Sequence, residues 1–519
     1  MSKTTKDGLV ALSLANLCFM GAWVVLLNPR HYTYYHWKYH PGFLEYAALL
    51  IDVLLLAALF WGAATLARRT GNRILVWAVR WAFLLSLIIP LNDLRQQLFD
   101  PLARGRKSLV AALVLFSVFG LVVLAAAALK KWRLKIIRTA YVAVLILSPF
   151  AVVTLLQGAW LTYKYRDNAA HAADAPPAPR LNQKDAPRVV WIVFDELDQR
   201  VAFTGRAAGL ELPELDRLRG QSLFATNAYP PSNQTLLSMP SLVTGKVALT
   251  AMPERPDELM IRYKGEQESV PFSAQPNVFA DARAAGFDTA LVGWYHPYCR
   301  VVGKSLTSCF WEPTVDEISP LRGQPTLLKS MSNWAARSLF RIPGTFRIFQ
   351  PWYDSDRAED HTLEQQHVME RATGVARDKG FGLTLLHFPV PHHPFIYDRS
   401  RGALSSRPDN TYEGNLVLTD RVLGELRREM EAAGLWEGTT VIVSSDHWWR
   451  SPPDGKIDRR VPFIVKLPGQ QAGTTYDEEF NTVLTRGLIR AILGGDVTSP
   501  EDAAAWLDRN RPGAERPGG

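Results

Sequence analysis

Five apolar runs, near residues 9–27, 44–66, 74–91, 109–129 and 140–159, occupy the first part of the chain. Each is close to the roughly 20 residues that a helix needs to cross hydrocarbon. Backbone amides in lipid must be paired within their own segment, so these runs dictate helices and assign residues 1–160 to a transmembrane domain of five spans. Four further runs follow the first, which therefore does not read as a cleavable signal peptide.

The loops orient these spans. Arg68, Arg69 and Arg73 lie in the loop 67–73, and Lys130, Lys131, Arg133, Lys135 and Arg138 in the loop 130–138. Both are expected on the cytoplasmic side together with Lys3 and Lys6, and an odd number of spans then exports everything after Trp160. The loop 92–107, with Arg95, Arg104, Arg106 and Lys107, runs against this pattern. Much of the net charge of +8 sits in such loops, which argues for membrane orientation and against a nucleic-acid partner. The expected location is a bacterial-type inner membrane with the soluble part on the extracytoplasmic side. The stretch 31–40, rich in Tyr, His and Trp, reads as an aromatic belt at the headgroups rather than a metal site. Arg80, inside the third run, could snorkel, pair within the bundle or touch a lipid phosphate.

Beyond the spans, residues 161–187 read as a linker whose Ala-, Pro- and Asp-rich part, 167–186, is an exposed tether. Residues 188–495 read as an α/β domain and 496–519 as a C-terminal tail. Strands are expected at 189–194, 289–292, 383–386, 440–444 and 463–467, and helices at 278–285, 361–377 and 412–433. This alternation predicts a largely parallel central sheet sandwiched by helices, in which chemistry gathers at the carboxyl ends of the strands.

Three strands deliver acid or imidazole to that edge. One runs into Asp195-Glu196, another reaches His387 ahead of His392-His393, and a third ends in Asp446-His447. Singly, Asp195 reads equally well as a cap, Asp446-His447 as a surface pair, and His392-His393 as a rigid loop between prolines. Together they form an oxygen and nitrogen set suited to one divalent metal, Zn or Mn ahead of Mg or Ca. Thr235 follows the turn Pro230-Pro231-Ser232-Asn233-Gln234 and precedes a short apolar segment, so it reads as a helix cap or as a nucleophile at a helix start. The segment Trp294-Tyr295-His296-Pro297-Tyr298-Cys299-Arg300 follows a strand, and its aromatics either line the pocket or fill core and rim. Cys299 and Cys309 are a candidate disulfide in an exported domain.

An acid after the first strand at Asp195, Thr235-x-x-Ser238-x-Pro240, His387-x4-His392-x-Pro394 and strand-Ser445-Asp446-His447 resemble the alkaline phosphatase/sulfatase superfamily. The spans followed by an exported domain resemble its membrane-bound phosphotransferase branch, the phosphoethanolamine transferases and lipoteichoic acid synthases. Tyr412 with Asp420–Gly424, and the segment 461–469, resemble a helix and a late strand of the same domain. The resemblance implies that Asp195, Thr235, Asp446 and His447 surround one metal, with Thr235 as covalent nucleophile. It places His387 and His392 near the transferred group or a second metal, and offers Glu196 as an added ligand. Membrane lipids and an envelope lipid or glycan are the implied partners.

The departures bear on the substrate. No C/S-x-P-x-R motif, the formylglycine signature of sulfatases, surrounds Thr235. Trp448 stands where a glycine usually follows the Asp-His pair, and Arg459-Arg460 stand where a further metal-site histidine is expected. These departures tell against a second metal and an ethanolamine substrate. Arg450, Arg459 and His296 are the candidate substrate-binding residues. Phosphoryl transfer is therefore the leading expectation, with sulfate-ester hydrolysis without formylglycine and a non-catalytic glycan-binding relative as alternatives.

Overall fold

The computed structural model describes residues 2–28, 30–38, 41–99, 130–166, 174–181, 187–314, 326–342 and 345–511. The chain divides into two compact units. One comprises Met1–His31, Tyr39–His171 and Ile318–Gln350, and the other Tyr32–Lys38, Ala172–Glu317 and Pro351–Gly519.

The first unit is helical. Among the described residues, Phe43–Thr70 and Arg73–Arg95 are long and apolar enough to cross a membrane. Two further pairs qualify if each is one bent span: Lys3–Cys18 with Met20–Leu27, meeting at 66°, and Leu134–Ile146 with Ser148–Lys164, meeting at 42°. Pro149, at the start of the last helix, lacks the amide hydrogen that would continue the ladder across that bend. The expected span 109–129 lies outside the described residues. Two acids of this unit are paired: Asp7 meets Arg68 at 2.8 Å and accepts the Tyr141 hydroxyl, while Asp93 accepts the Gly21 amide and meets Arg341 at 3.2 Å. The Arg80 guanidinium lies over the Trp77 ring. Residues 318–350, expected within the catalytic domain, belong here instead, because the helix Leu327–Leu339 packs along Phe43–Thr70 with Trp334 buried.

The second unit is built on an eight-stranded sheet. In chain order its strands are β1 (Arg188–Asp195), β2 (Leu223–Ala225), β3 (Thr289–Trp294), β4 (Ser308–Glu312), β5 (Leu383–Pro391), β6 (Thr439–Ser445), β7 (Phe463–Lys466) and β8 (Thr474–Tyr476). They lie in the order β8-β2-β7-β6-β1-β5-β3-β4. Every pairing is parallel except those of β7, which runs antiparallel to both β6 and β2. A parallel return would need a crossover, usually a helix, and the connection 446–462 contains none. The expected strands and helices are all present. Unforeseen are β2, β4, β8 and a three-stranded antiparallel sheet of Ala248–Arg255, Glu258–Tyr263 and Val270–Pro271.

Both faces of β1 are buried, as a continuous apolar run in a covered parallel sheet requires. Val189, Trp191 and Val193 enter one core with Met239, Leu242 and Val243 of the helix Thr235–Thr244. Val190, Ile192 and Phe194 enter the other with Leu416, Leu423 and Leu426 of the helix Tyr412–Ala432.

Three expectations change here. The described part of the tether, 174–181, is largely exposed, as expected, but it is pinned to the domain rather than free: Ala175 and Ala178 donate to the Cys299 and Leu306 carbonyls, and the Leu181 amide meets Asp288. The tail 496–519 contains the helix Pro500–Asn510, which buries Ala503 and Leu507 in the core. The stretch expected as an aromatic belt is packed within this unit from Tyr32 to Lys38, with Tyr34, Tyr35 and Trp37 buried.

Candidate active site

Side-chain alternation decides which strand-end groups meet. Asp195 follows Val189, Trp191 and Val193 in parity, His387 follows Leu383 and Leu385, and Asp446 follows Ile442. All of these belong to the core beneath Thr235–Thr244, so the three polar groups emerge toward the N-terminus of that helix. A register shift between Phe194 and Asp195 marks the end of regular pairing with β5. Ser445 ties the ends of β1 and β6: its Oγ accepts the Leu197 amide and lies 2.8 Å from the Phe194 carbonyl and 2.7 Å from that of His447.

Thr235 is the first residue of its helix rather than the cap, which is Gln234. Its hydroxyl donates to Asp195 Oδ2 at 3.1 Å and lies 3.3 Å from His447 Nε2. His447 Nε2 is also 3.5 Å from Asp195 Oδ1 and 3.4 Å from Asp446 Oδ2. Asp195, Asp446 and His447 are wholly buried. The preceding turn is held by the Ser238 hydroxyl, which donates to the Ser232 carbonyl at 3.0 Å.

Asp195 Oδ1, Asp446 Oδ2 and His387 Nε2 are buried and have no hydrogen-bond partner. Orphaned carboxylate oxygens are costly, and two converging on one imidazole ask for a cation. Ligand atoms of Asp195, Asp446 and His447 lie within 4.8 Å of one another. Burial, and then the charges of Asp446 and Glu196, push the Asp195 carboxyl well above its usual range. Burial lowers His447 to about 3 and His387 to about 4, which keeps both imidazoles neutral, the form that binds metal. The residues present therefore fit a single divalent cation.

Glu196 turns elsewhere. Its φ of 68° is a left-handed conformation costly for a residue with a Cβ, on the order of 1–3 kcal/mol. Three contacts hold it there. Its amide donates to Asp446 Oδ1, its carbonyl accepts the Tyr412 hydroxyl at 2.7 Å, and its carboxylate accepts from Arg450 N and Nε at 3.2 and 3.1 Å. The carboxylate is thus clasped by Arg450 and does not join the Asp195/Asp446/His447 group. Arg450 Nη2 also donates to His392 Nε2 at 2.9 Å. An arginine can only donate, so His392 Nε2 is the acceptor. His392 and Arg450 thus form one half-exposed unit beside the buried carboxylates.

The residues after Asp446-His447 have structural work. Trp449 stacks on Tyr412 at 3.9 Å between centroids, its amide donates to Asp198, and Trp448 is buried. Arg459 is exposed over Trp448, and Arg460 is held by Asp458.

His296, expected to bind substrate, is fully buried behind Thr235. Its Nε2 lies 3.1 Å from the Thr235 carbonyl and its Nδ1 2.8 Å from the Tyr35 hydroxyl. Burial lowers it to about 3. The expected disulfide Cys299–Cys309 is formed. Beside it, the Tyr298 hydroxyl lies 3.0 Å from His387 Nδ1, so His387 is fixed on one nitrogen and turns the other toward Asp195, 4.0 Å away. Tyr35, Tyr298, Tyr412 and Ser445 all lie in stretches the sequence marks, but nothing in the sequence gives them these contacts.

The family model described as Sulfatase matches residues 187–484. A curated relative, the ulvan-active sulfatase of Formosa agariphila, is 29% identical over 123 residues, 20% of this chain and 24% of that protein. The chain thus spans about a quarter of the length of the curated relative it matches. Among solved structures, the PsFucS1 sulfatase from Pseudoalteromonas sp. is 17% identical, with 60% of this chain and 68% of that one covered at a TM-score of 0.42. The phosphonate monoester hydrolase of Agrobacterium radiobacter is 16% identical, with 59% and 74% covered at a TM-score of 0.36.

Proposed function

The chain belongs to the sulfatase family, and on that premise we propose that it is a membrane-anchored, metal-dependent enzyme that transfers or hydrolyses a phosphoryl-type group through a covalent Thr235 intermediate. The observation that carries this reading is the Thr235 hydroxyl, 3.1 Å from Asp195 and 3.3 Å from His447, beside two partnerless carboxylate oxygens. Thr235, Asp195, Asp446 and His447 would hold one divalent cation, which lowers the pKa of the hydroxyl and neutralises charge on the transferred group. The mixed oxygen and nitrogen set favours Zn or Mn over Mg or Ca.

The chain's own groups account for the rest. Asp195 orients the hydroxyl and receives its hydrogen. Thr235 Oγ1 bonds to phosphorus as the donor's ester oxygen departs and takes up a proton. An acceptor hydroxyl, or water, then displaces Thr235 and returns a proton to it. His387, anchored by Tyr298, presents Nε2 to the departing or attacking oxygen, and Arg450 beside His392 provides donors for the remaining anionic oxygens. The apolar helices supply the anchor, and the Cys299–Cys309 disulfide supports an exported, oxidising location. Envelope lipids or glycans are the substrates that suit such a site.

Sulfate-ester hydrolysis is the second reading, favoured by the curated relative named as a sulfatase and opposed by the missing formylglycine motif. The test compares 4-nitrophenyl phosphate with 4-nitrophenyl sulfate on the full chain in detergent, with and without chelator. Mass spectrometry of the Thr235 peptide after quenching is expected to show a phosphate adduct, and Thr235→Ala to abolish turnover. An unmodified Thr235 together with wild-type turnover by Thr235→Ala would refute the mechanism.

A further inference from the structure

We propose that the segment Tyr32–Lys38 completes the active site from behind, and that Tyr35 is a positioning residue for the nucleophile, acting through His296. The inference rests on the reading of Thr235 as nucleophile given above.

The segment is built into the fold. Thr33, Tyr34, Tyr35 and Trp37 are buried, and the Tyr35 side chain is fully enclosed in the same core as Met239 and Leu242. Arg300, whose side chain is 1% exposed, donates through Nη1 to the Trp37 carbonyl at 2.9 Å and through Nη2 to the Lys38 carbonyl at 2.7 Å. A buried guanidinium needs such acceptors, and this segment supplies them. The Lys38 ammonium meets Glu312 at 3.2 Å and lies over the Phe310 ring. Arg300 stands next to the Cys299–Cys309 disulfide, so the anchoring point is itself cross-linked.

Hydrogen-bond chemistry then gives the link its direction. A backbone carbonyl only accepts, so the proton of neutral His296 resides on Nε2 and is donated to the Thr235 carbonyl. Nδ1 is left as an acceptor, and the Tyr35 hydroxyl donates to it. The relay Tyr35–His296–Thr235 fixes one imidazole tautomer and, with it, the backbone of the residue whose hydroxyl must point at Asp195. Removing the tyrosine hydroxyl leaves a fully buried nitrogen without a donor, and the imidazole is free to turn away from the helix.

The test uses the full chain in detergent. Tyr35→Phe deletes the hydroxyl alone and is expected to lower kcat on the 4-nitrophenyl ester that wild type turns over by roughly 10- to 100-fold, the range that a small misplacement of a reacting group produces. KM should change by less than about threefold, since no substrate contact is lost. In a His296→Gln background the same change should have little further effect, because both variants break one relay. Hydrogen–deuterium exchange supplies a readout independent of turnover. Peptides covering 32–38 should be protected in wild type and lose protection in Arg300→Gln, and Tyr35→Phe should raise exchange in the peptide covering 234–244. Wild-type kcat in Tyr35→Phe, full additivity with His296→Gln, or unprotected exchange of 32–38 in wild type would each overturn the proposal. Failure of the nucleophile reading shows separately, as undiminished turnover by Thr235→Ala or as no turnover of either ester. In the latter case the exchange measurements alone decide the placement of Tyr35.

Discussion

Gly293→Ala tests whether the wall behind His387 is as tightly built as the geometry shows. Gly293 lies on β3, and a Cβ added there would stand 2.6 and 2.7 Å from two ring carbons of Tyr298 and 3.1 Å from Leu291 Cδ2. Ordinary contact begins near 3.4 Å, so the ring must retreat by about 0.8 Å. Tyr298 has little room for this: it is fully buried, and the adjacent Cys299 is bonded to Cys309 on the neighbouring strand β4. A retreat of that size stretches the 3.0 Å contact between the Tyr298 hydroxyl and His387 Nδ1 beyond hydrogen-bonding range. Overpacking of this kind costs about 1–3 kcal/mol, and the buried pair left unmade costs about 1–3 kcal/mol more. For a domain of this size the sum lowers Tm by roughly 5–10 °C. Differential scanning fluorimetry of the full chain in detergent measures it, and ester turnover should fall with it because His387 loses its anchor. Gly374→Ala is the control. It lies in the helix Thr345–Ala376 with nothing within 4 Å of the added carbon, so it should stabilise by roughly 0.5–1 kcal/mol. Wild-type Tm and turnover in Gly293→Ala would refute the steric reasoning.

Further outcomes follow from the same geometry. Asp446→Asn should lose most of the bound divalent metal when purified proteins are compared by elemental analysis, and equal metal content would count against the ligand set. His387 is neutral in the folded chain, held near 4 against roughly 6.5 unfolded, so its contribution to stability is complete above pH 6.5 and is lost as pH falls toward 4. Relative to His387→Gln, chelated wild type should therefore lose about 1.4 kcal/mol of unfolding free energy per pH unit across that window. Parallel denaturation curves for the two proteins at pH 7 and 5 would exclude this. Arg450→Met removes a guanidinium shared by Glu196 and His392, and should lower kcat/KM roughly 10- to 100-fold. Arg450→Lys should recover little of that loss, because an ammonium cannot reach both partners in one plane.

The sheet was readable because buried central strands are continuous apolar runs, and the five expected runs, four of them ending near the site, stand out whatever surrounds them. The short strands β2 and β8, at three residues each, carry too little pattern to be seen, and the reversal of β7 depends on a connection whose path no local signal marks. The helix Leu327–Leu339 reads locally like any helix of an α/β domain, and only its packing along Phe43–Thr70 assigns it to the other unit.

The sequence by itself determined the apolar helices, five of the eight strands in their succession along the chain, and the delivery of Asp195, His387 and Asp446-His447 to one edge, since periodicity and chain order are local properties. It also marked Thr235 as a residue at a helix start, without deciding whether its hydroxyl caps that helix or faces outward. Tertiary structure decided that, by bringing His447 from 212 residues away to 3.3 Å from the hydroxyl. It decided as well that Glu196 is clasped by Arg450, that His296 meets the Thr235 carbonyl from within the core, and that Tyr35, 261 residues from His296, is its partner. Each of these depends on which distant group satisfies a buried donor, acceptor or charge, and that assignment exists only once the chain has closed on itself.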